Sequence, residues 1–361
     1  MVEIWASGVS APRGIVRVAR ELEQAGWDGL SVVDSQNLSG DPFVALAMAA
    51  TVTDRLKLAT GVTNSITRSA AALATAIASV HSVSRGRAVL GIGRGDSALA
   101  HLGRAPARLP QFERYLRHLQ AYLGGQGVPF EQLVDIPTDL APPMSELQLA
   151  EAPPDSRIAW IAESQAGDRK VPVEVAASGP RVIAIAARTA DRVMFTLGAA
   201  PERIAWGIEV ARQARREAGL DPDALRYGAF VACACHPDPE VARHLVQGNL
   251  TVHARFGVMH GRTSGPLSAE QQAVMLDLRN AYDMRRHTQR DSAQAATLTP
   301  EFIDHYAIVG PPERVIERLQ ALAALGLTKF VLGGSRSTIE AGEAATARRL
   351  VETEVLPAMH G

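Results

Sequence analysis

Short apolar runs alternate with longer segments of helical periodicity along most of the chain. Residues 2–6 form such a run, and residues 13–25 follow with Ile15, Val18 and Leu22 on one helical face. The predicted strands cover residues 2–6, 29–34, 56–63, 88–92, 171–176, 192–197, 227–235 and 329–332. The predicted helices cover residues 13–25, 41–53, 69–83, 111–123, 180–190, 201–218, 238–256, 312–325 and 339–356.

This alternation predicts repeated βαβ units and a parallel sheet, because a return through a helix brings the next strand alongside in the same direction. Eight strand–helix pairs are counted when helix 111–123 follows the fourth strand and helix 238–256 follows the seventh. Eight pairs is the number found in a (β/α)8 TIM barrel, and a doubly wound open sheet is the alternative. We therefore predict an α/β fold in which residues 1–361 form a single TIM-barrel domain.

Two stretches interrupt the repeat and are interpreted as insertions. Residues 124–169, after the fourth strand, are rich in proline, glycine and acidic residues, and short strands are expected at 147–150 and 157–161. Residues 257–300, after the seventh strand, contain a polar segment predicted to be helical around 271–286. Long insertions in a compact domain tend to be functional lids or interfaces, which is the expectation for both.

Composition and charge narrow the classes of function. The 361-residue chain is 47% hydrophobic with a formal net charge of -1, so no general attraction to nucleic acid or anionic membranes is expected. It carries neither a membrane-span window nor a signal-peptide pattern, which predicts a cytoplasmic protein. Cys233 and Cys235 are expected to be structural. His244, His253 and His260 do not repeat at helical spacing, so no metal site is predicted.

A glycine-rich strand end carries the strongest chemical signal. The fourth predicted strand ends in Gly91, Gly93 and Gly95, and Asp96 and Ser97 follow at once. Glycine allows a ligand to approach the backbone closely, and ligands of a barrel bind at the carboxyl ends of its strands. The alternative is a turn whose glycines only pack closely.

Three further strand ends carry small and polar residues: 34–37 (Asp-Ser-Gln-Asn), 60–64 (Thr-Gly-Val-Thr-Asn) and 176–180 (Ala-Ala-Ser-Gly-Pro). The last runs directly into a predicted helix, whose free N–H groups and positive dipole end suit a phosphate. Alternatively, Ser178 is an ordinary N-cap with Pro180 in the first turn.

Ordered sequence runs point to a family. Residues 60–68 read Thr-Gly-Val-Thr-Asn-Ser-Ile-Thr-Arg, and residues 84–96 read Ser-Arg-Gly-Arg-Ala-Val-Leu-Gly-Ile-Gly-Arg-Gly-Asp. With later pieces such as Ser-Gly-Pro at 178–180 and Val-Gly-Pro-Pro-Glu at 309–313, the chain resembles the bacterial-luciferase-like oxidoreductases over nearly its whole length. It is most similar to the coenzyme F420-dependent methylenetetrahydromethanopterin reductase branch. It departs from the pattern at Ser35, where many F420 enzymes have histidine, and at Ser65, where the branch has proline.

The resemblance implies a TIM barrel that binds F420 or FMN across its strand ends, with the lean to F420. It also implies a non-proline cis peptide at Gly61-Val62, behind the cofactor ring. The cofactor-binding residues it implies are Ser35, Gly61, Val62, Thr63, Asn64, Gly93, Arg94, Ala177, Ser178 and Gly179, of which Ser178 and Gly179 would take the phosphate.

Three acids are candidate catalytic residues by the same resemblance: Asp96, Glu3 and Asp34. Hydride transfer leaves a proton to be managed, and a carboxyl group beside the reacting centre can hold it. The structural alternatives are a salt bridge at the bottom of the barrel for Glu3 and helix caps for Asp34 and Asp96.

Three functional hypotheses follow. The first is hydride transfer between a reduced F420-type cofactor and a small organic substrate. The second is a two-component monooxygenase using reduced FMN and oxygen, supplied by a separate flavin reductase. The third is a partner subunit without cofactor or catalysis. The resemblance also implies a homodimer, with helix 69–83 in the interface through its alanines at 70, 71, 74 and 78.

Overall fold

Eight parallel strands close into a barrel in this computed structural model, which describes residues 2–161, 170–334 and 342–361. The sheet has ten strands in the described residues, of which eight form the barrel. The ten are β1 (Glu3–Gly8), β2 (Gly29–Val32), β3 (Lys57–Thr60), β4 (Thr63–Asn64), β5 (Ala88–Gly93), β6 (Val173–Ala177), β7 (Arg192–Phe195), β8 (Arg226–Cys235), β9 (Ile308–Gly310) and β10 (Leu327–Gly334). The barrel order is β1-β2-β3-β5-β6-β7-β8-β10, and β10 pairs with β1 to close it. Short β4 pairs with β5, and short β9 pairs with the end of β8. The predicted TIM barrel is confirmed.

Helices surround the barrel and follow the strands as the periodicity predicts. They are α1 (Pro12–Gln24), α2 (Pro42–Ala50), α3 (Ala70–Val83), α4 (Ser97–Ala100), α5 (Leu109–Leu123), α6 (Pro180–Thr189), α7 (Pro201–Glu217), α8 (Pro239–Phe256), α9 (Ala269–Asn280), α10 (Pro300–Tyr306), α11 (Pro312–Ala324), α12 (Glu343–Leu350) and α13 (Leu356–His360). A π-helical turn, Val351–Val355, joins the last two. Among the described helices, none has both the length and the apolar character needed to cross a membrane.

The barrel interior is layered. Inward-facing Trp5, Val89, Met194 and Val331 pack in one buried apolar cluster, with Ala59 and Phe230 against it. Because strand side chains alternate, the inward positions nearer the strand starts lie below this layer, and they are charged. Ion pairs join these charged residues: Glu3 with Lys57, and Glu174 with both Arg192 and Lys329.

The first insertion differs from its prediction. Residues 147–150 form no strand: Leu147 is 66% exposed and Gln148 has a positive φ of 49°, so this apolar segment neither extends nor packs on a sheet. Residues 157–161 form a turn instead, closed by the bond from the Ile161 amide to the Ile158 carbonyl. Short 3-10 helices, Phe130–Gln132 and Met144–Leu147, take their place.

The second insertion agrees with its prediction. Helix α9 and a 3-10 turn, Met284–Arg286, cover the segment expected to be helical. Residues 162–169, in the first insertion, and 339–341, the predicted start of the closing helix, lie outside the described residues. Sequence reasoning missed β9 and α10, which are too short to give a clear period.

The predicted dimer face of α3 is wrong. Ala70, Ala74 and Ala78 are 0–2% exposed and pack in the protomer's own core. The alanine stripe therefore faces the barrel, where small side chains let α3 approach closely. The exposed side of the helix carries Ala72 and Thr75 instead.

Candidate active site

Small side chains surround the mouth of the barrel at the carboxyl ends of the strands. The inward positions above the apolar layer are Ser7, Ser31, Gly61, Gly91, Ala176, Ala232 and Gly333. These positions bear little side-chain volume and lie above a floor that includes Phe230 and Met194, which is the arrangement that a flat ligand needs.

The strand β3 is interrupted at the mouth. The Gly61-Val62 peptide bond is cis, as predicted. The Val62 side chain packs over two glycines of β5: a Cβ on Gly91 would lie 3.4 Å, and one on Gly93 3.2 Å, from its methyl carbons. On Gly91 the same atom would also lie 2.1 Å from the Thr60 carbonyl oxygen. Close packing therefore accounts for these glycines, and it places Val62 at the mouth.

Asp34 organises one side of the mouth. It is 3% exposed, and its carboxylate accepts hydrogen bonds from Thr63 Oγ1 at 2.6 Å and Gln36 Nε2 at 2.7 Å. Arg68 Nη1 lies 2.6 Å from the same carboxylate and Nη2 lies 2.7 Å from Asp41, so one guanidinium joins both acids. Asp34 is not a helix cap. Its contacts hold Thr63 in place beside the mouth.

Ser35 and Asn64 lie beside Asp34 and are tied into the local loops. Ser35 Oγ is 3.3 Å from Ser97 Oγ, which brings the second and fourth strand ends together. Asn64 Oδ1 accepts from the backbone amides of Ile66 and Thr67, each at 3.0 Å. The structure thus gathers the predicted residues of three strand ends.

The N-terminus of α6 forms a second side of the mouth. Its N-cap is Gly179, with no side-chain cap, and a Cβ there would meet nothing within 4 Å. Ser178 instead donates to the Phe256 carbonyl at 3.2 Å, so the cap interpretation of Ser178 is wrong. Burial and the neighbouring Arg181 guanidinium lower the pKa of Arg94. Arg94 Nε donates to the Ala107 carbonyl at 2.6 Å, and Arg181 lies in the first turn of α6. An uncapped helix N-terminus with a cation in its first turn favours a bound anion.

Asp96 contacts the end of α8, next to the second insertion. Its carboxylate forms an ion pair with Arg255, in the last turn of α8, and has no capping bond to α4. The Arg255 guanidinium lies 4.5 Å from the centre of the Tyr282 ring, and the Tyr282 hydroxyl is 2.7 Å from His287 Nδ1. Sequence reasoning missed Arg255 and Tyr282, because no local spacing links residues this far from Asp96.

Glu3 lies at the opposite end of the barrel. Its carboxylate is 2.7 Å from Lys57 Nζ and accepts from Trp5 Nε1 at 2.9 Å. Burial raises the pKa of Glu3, but the bonds from Lys57 and Trp5 outweigh it and the net pKa is lowered. The apolar layer separates Glu3 from the mouth, so the structure does not bring it to the other candidate residues. The salt-bridge alternative describes its position correctly.

Comparison with known proteins gives consistent matches. A family model described as luciferase-like monooxygenase matches residues 3–329. A 5,10-methylenetetrahydromethanopterin reductase of Archaeoglobus fulgidus is 28% identical over 320 residues, 86% of this chain and 86% of that protein.

Two solved structures share the fold. The coenzyme F420-dependent tetrahydromethanopterin reductase of Methanopyrus kandleri superposes with a TM-score of 0.71 at 20% identity, covering 99% of both chains. The oxygenating constituent of 3,6-diketocamphane monooxygenase from Pseudomonas putida, in complex with FMN, superposes with a TM-score of 0.64 at 19% identity. That superposition covers 99% of this chain and 98% of the monooxygenase.

Proposed function

Because this chain belongs to the luciferase-like monooxygenase family, we propose that it is an oxidoreductase that transfers a hydride between a reduced F420-type cofactor and a small organic substrate. The observation that carries the proposal is the uncapped N-terminus of α6 with Arg181 in its first turn, beside a mouth lined by small residues. We call this helix end, together with Arg94, the anion seat. The similarity to methylenetetrahydromethanopterin reductases favours F420 over FMN.

The residues at the mouth fit such a cofactor. The backbone of Ser178 and Gly179, with the Arg94 guanidinium, would take a phosphate, and the open space at Gly179 leaves room for it. The ring would lie against the side of the mouth that includes Gly61, Val62, Thr63, Asn64 and Ser35, and Gly93 would line its edge. Ala177 is predicted at the site too, but it faces outward from β6 and packs in the core between barrel and helices. An F420-type cofactor, when bound, supplies a ring carbon that gives or accepts a hydride.

Asp96 is the proposed proton-handling carboxylate. Its side chain is 16% exposed at the mouth, whereas Asp34 is almost fully enclosed by its own hydrogen bonds and Glu3 lies at the far end. Arg255 orients Asp96, and Asp34 positions Thr63 rather than touching substrate. Small mouth residues and the covering α8 would exclude water from the reacting groups.

A two-component monooxygenase using reduced FMN and oxygen, with a separate flavin reductase, is the second candidate. The similarity in fold to an FMN-bound monooxygenase favours it, because the same anion seat would accept an FMN phosphate. Flavin chemistry resides in the cofactor, so the two activities place similar demands on the protein.

The test compares the two cofactors in parallel. Reduced F420 is followed anaerobically with ketone, imine and unsaturated acceptors, and dithionite-reduced FMN is followed with oxygen. We expect turnover with reduced F420. Turnover with FMN and oxygen alone would select the monooxygenase, and binding of neither cofactor would leave the partner-subunit hypothesis.

A substitution of Arg94, the cation proposed to contact the cofactor phosphate, tests the cofactor site itself. Arg94→Gln is expected to weaken cofactor binding about tenfold, since it removes a charge-assisted contact of roughly 1.5 kcal/mol or more. The matched control is Arg20→Gln, at an exposed position of α1. Equal affinities in the two variants would remove Arg94 from the cofactor site.

We further propose a cytoplasmic homodimer. Cys233 and Cys235 are free, buried thiols, which fits a reducing compartment. The exposed side of α3 replaces its alanine stripe as the expected contact. Light scattering at micromolar concentration should give twice the monomer mass of 38.4 kDa, and a monomer would contradict the proposal.

A further inference from the structure

Helix α8 crosses the mouth of the barrel. Near its middle, the Asn249 amide lies over the inward side of β10, where a Cβ on Gly333 would be 2.9 Å from Asn249 Oδ1. At its end, the Phe256 carbonyl accepts from Ser178 after β6, and Arg255 pairs with Asp96 after β5. The last two turns of α8 therefore span the opening from one wall to the other.

The two sides of this segment have different neighbours. Gly248 faces the second insertion, since a Cβ there would lie 2.1 Å from the Thr288 carbonyl oxygen, and Arg255 faces it too, over Tyr282. Asn249, about 100° further round the helix, faces Gly333 at the strand end of β10. His253 lies one helical turn beyond Asn249 and shares its face. Asn249 is thus directed at the mouth, and His253 follows it on the same helical face.

Both side chains also carry a buried polar atom without a partner. Among the described residues, neither Asn249 Oδ1 nor His253 Nδ1 has a hydrogen-bond partner. Most buried polar atoms in proteins are hydrogen-bonded, and leaving one unpaired costs about 1–3 kcal/mol. Two unpaired atoms one turn apart on the same helical face, next to the mouth, leave hydrogen-bonding groups free for a ligand. The cofactor contacts proposed above use neither residue.

We propose that Asn249 and His253 bind an uncharged carbonyl or hydroxyl group of the substrate, at the β10 side of the mouth. The inference rests on the proposed function and names the class of substrate group that its site accepts. A neutral imidazole presents one donor and one acceptor nitrogen, and the amide presents both as well, so the pair can hold either group.

The electrostatics agree with an uncharged partner. Burial lowers the pKa of His253 to about 4, which keeps the ring neutral at physiological pH. The nearest cation on the same helix, Arg255, faces the insertion and is paired with Asp96. An anionic group would find better partners at Arg94 and Arg181, on the other wall.

The first experiment measures ligand binding without turnover. Cyclohexanone, cyclohexanol and cyclohexanecarboxylate are titrated into the purified chain, with 15N-histidine NMR and ligand-observed NMR as readouts. The ketone and the alcohol are expected to shift the His253 ring nitrogens, and His253→Phe and Asn249→Leu should each weaken their binding about five- to tenfold. The control is His244→Gln, an exposed histidine on the same helix. Preference for the carboxylate, or unchanged affinity in both variants, would overturn the proposal.

The second experiment separates a binding role from a structural one. If the Asn249 amide oxygen is unpaired until a ligand binds, Asn249→Leu should raise the melting temperature of the free protein, because an unpaired polar group is removed. A lower melting temperature would mean that Asn249 holds the fold and would overturn the proposal. F420 affinity should not change in either variant. Absence of F420 binding in the unaltered protein would instead refute the proposed function and leave the ketone titration as an independent result.

Discussion

At the scale of single residues, Asp34 shows how much of the site follows from the sequence. The prediction that strand ends meet places Asp34 near Thr63 and Asn64, and the structure confirms this neighbourhood. The sequence does not show that Arg68 joins Asp34 to Asp41, nor that Asp96 pairs with a residue 159 positions away. Ion pairs of this kind depend on side-chain direction across the mouth, which no local periodicity encodes.

The Asp34 network makes a prediction about stability. Asp34→Asn removes a buried charge while Arg68 keeps its bond to Asp41, so we expect a loss of about 1–3 kcal/mol in the free energy of unfolding. Urea denaturation measures it. Asp277→Asn, at an exposed position of α9, is the control and should stay within about 0.5 kcal/mol. Equal effects of the two substitutions would show that Asp34 does not stabilise the mouth.

At the scale of elements, the strands and helices of the repeat follow from periodicity and caps. Helix α2, for example, begins after Asp41, whose side chain accepts from the amides of Phe43 and Val44. The strands expected in the first insertion do not form, because no neighbouring strand among the described residues is available for them to pair with. Alternation predicts a strand only where a neighbouring strand pairs with it.

The close packing at the interruption of β3 predicts that Gly91 tolerates an added side chain far less well than Gly14 in α1 does. A Cβ on Gly91 would lie 2.1 Å from the carbonyl oxygen of Thr60, which is held by pairing with β2, so Gly91→Ala should cost more than about 3 kcal/mol or prevent folding. Gly14→Ala, in α1 with nothing near its Cβ, should stabilise by up to about 1 kcal/mol. Thermal unfolding followed by circular dichroism compares them. A Gly91→Ala protein as stable as the parent would contradict the described packing.

At the scale of the whole molecule, the barrel separates a charged bottom from a polar mouth. Lys329 illustrates the bottom: it is 1% exposed, 2.8 Å from Glu174 and 3.2 Å above the centre of the Trp5 ring. Burial and Arg192 lower its pKa, while Glu174 and Glu3 partly restore it, and the result is about 8. The apolar layer that contains Trp5 and Val331 lies between these charged residues and the mouth.

The lowered pKa of Lys329 predicts a pH dependence of stability. Between about 8 and 10.5 the unfolded chain binds more protons at this site than the folded chain does, so Lys329 should make stability rise with pH across that window. In Lys329→Met that contribution disappears, while Glu174 keeps its pair with Arg192. Urea denaturation from pH 7.5 to 10.5 measures the difference between the two proteins. If the free energies of unfolding of the two proteins changed with pH in parallel, Lys329 would have an ordinary pKa and the prediction would be wrong.

The central claim is that the mouth binds an F420-type cofactor for hydride transfer. The most direct measurement is a titration of the purified chain with F420 and with FMN, each followed by its own absorption and fluorescence. We predict saturable F420 binding that is tighter than FMN binding and is weakened by Arg94→Gln. Tight FMN binding with none for F420 would contradict the claim and select the monooxygenase.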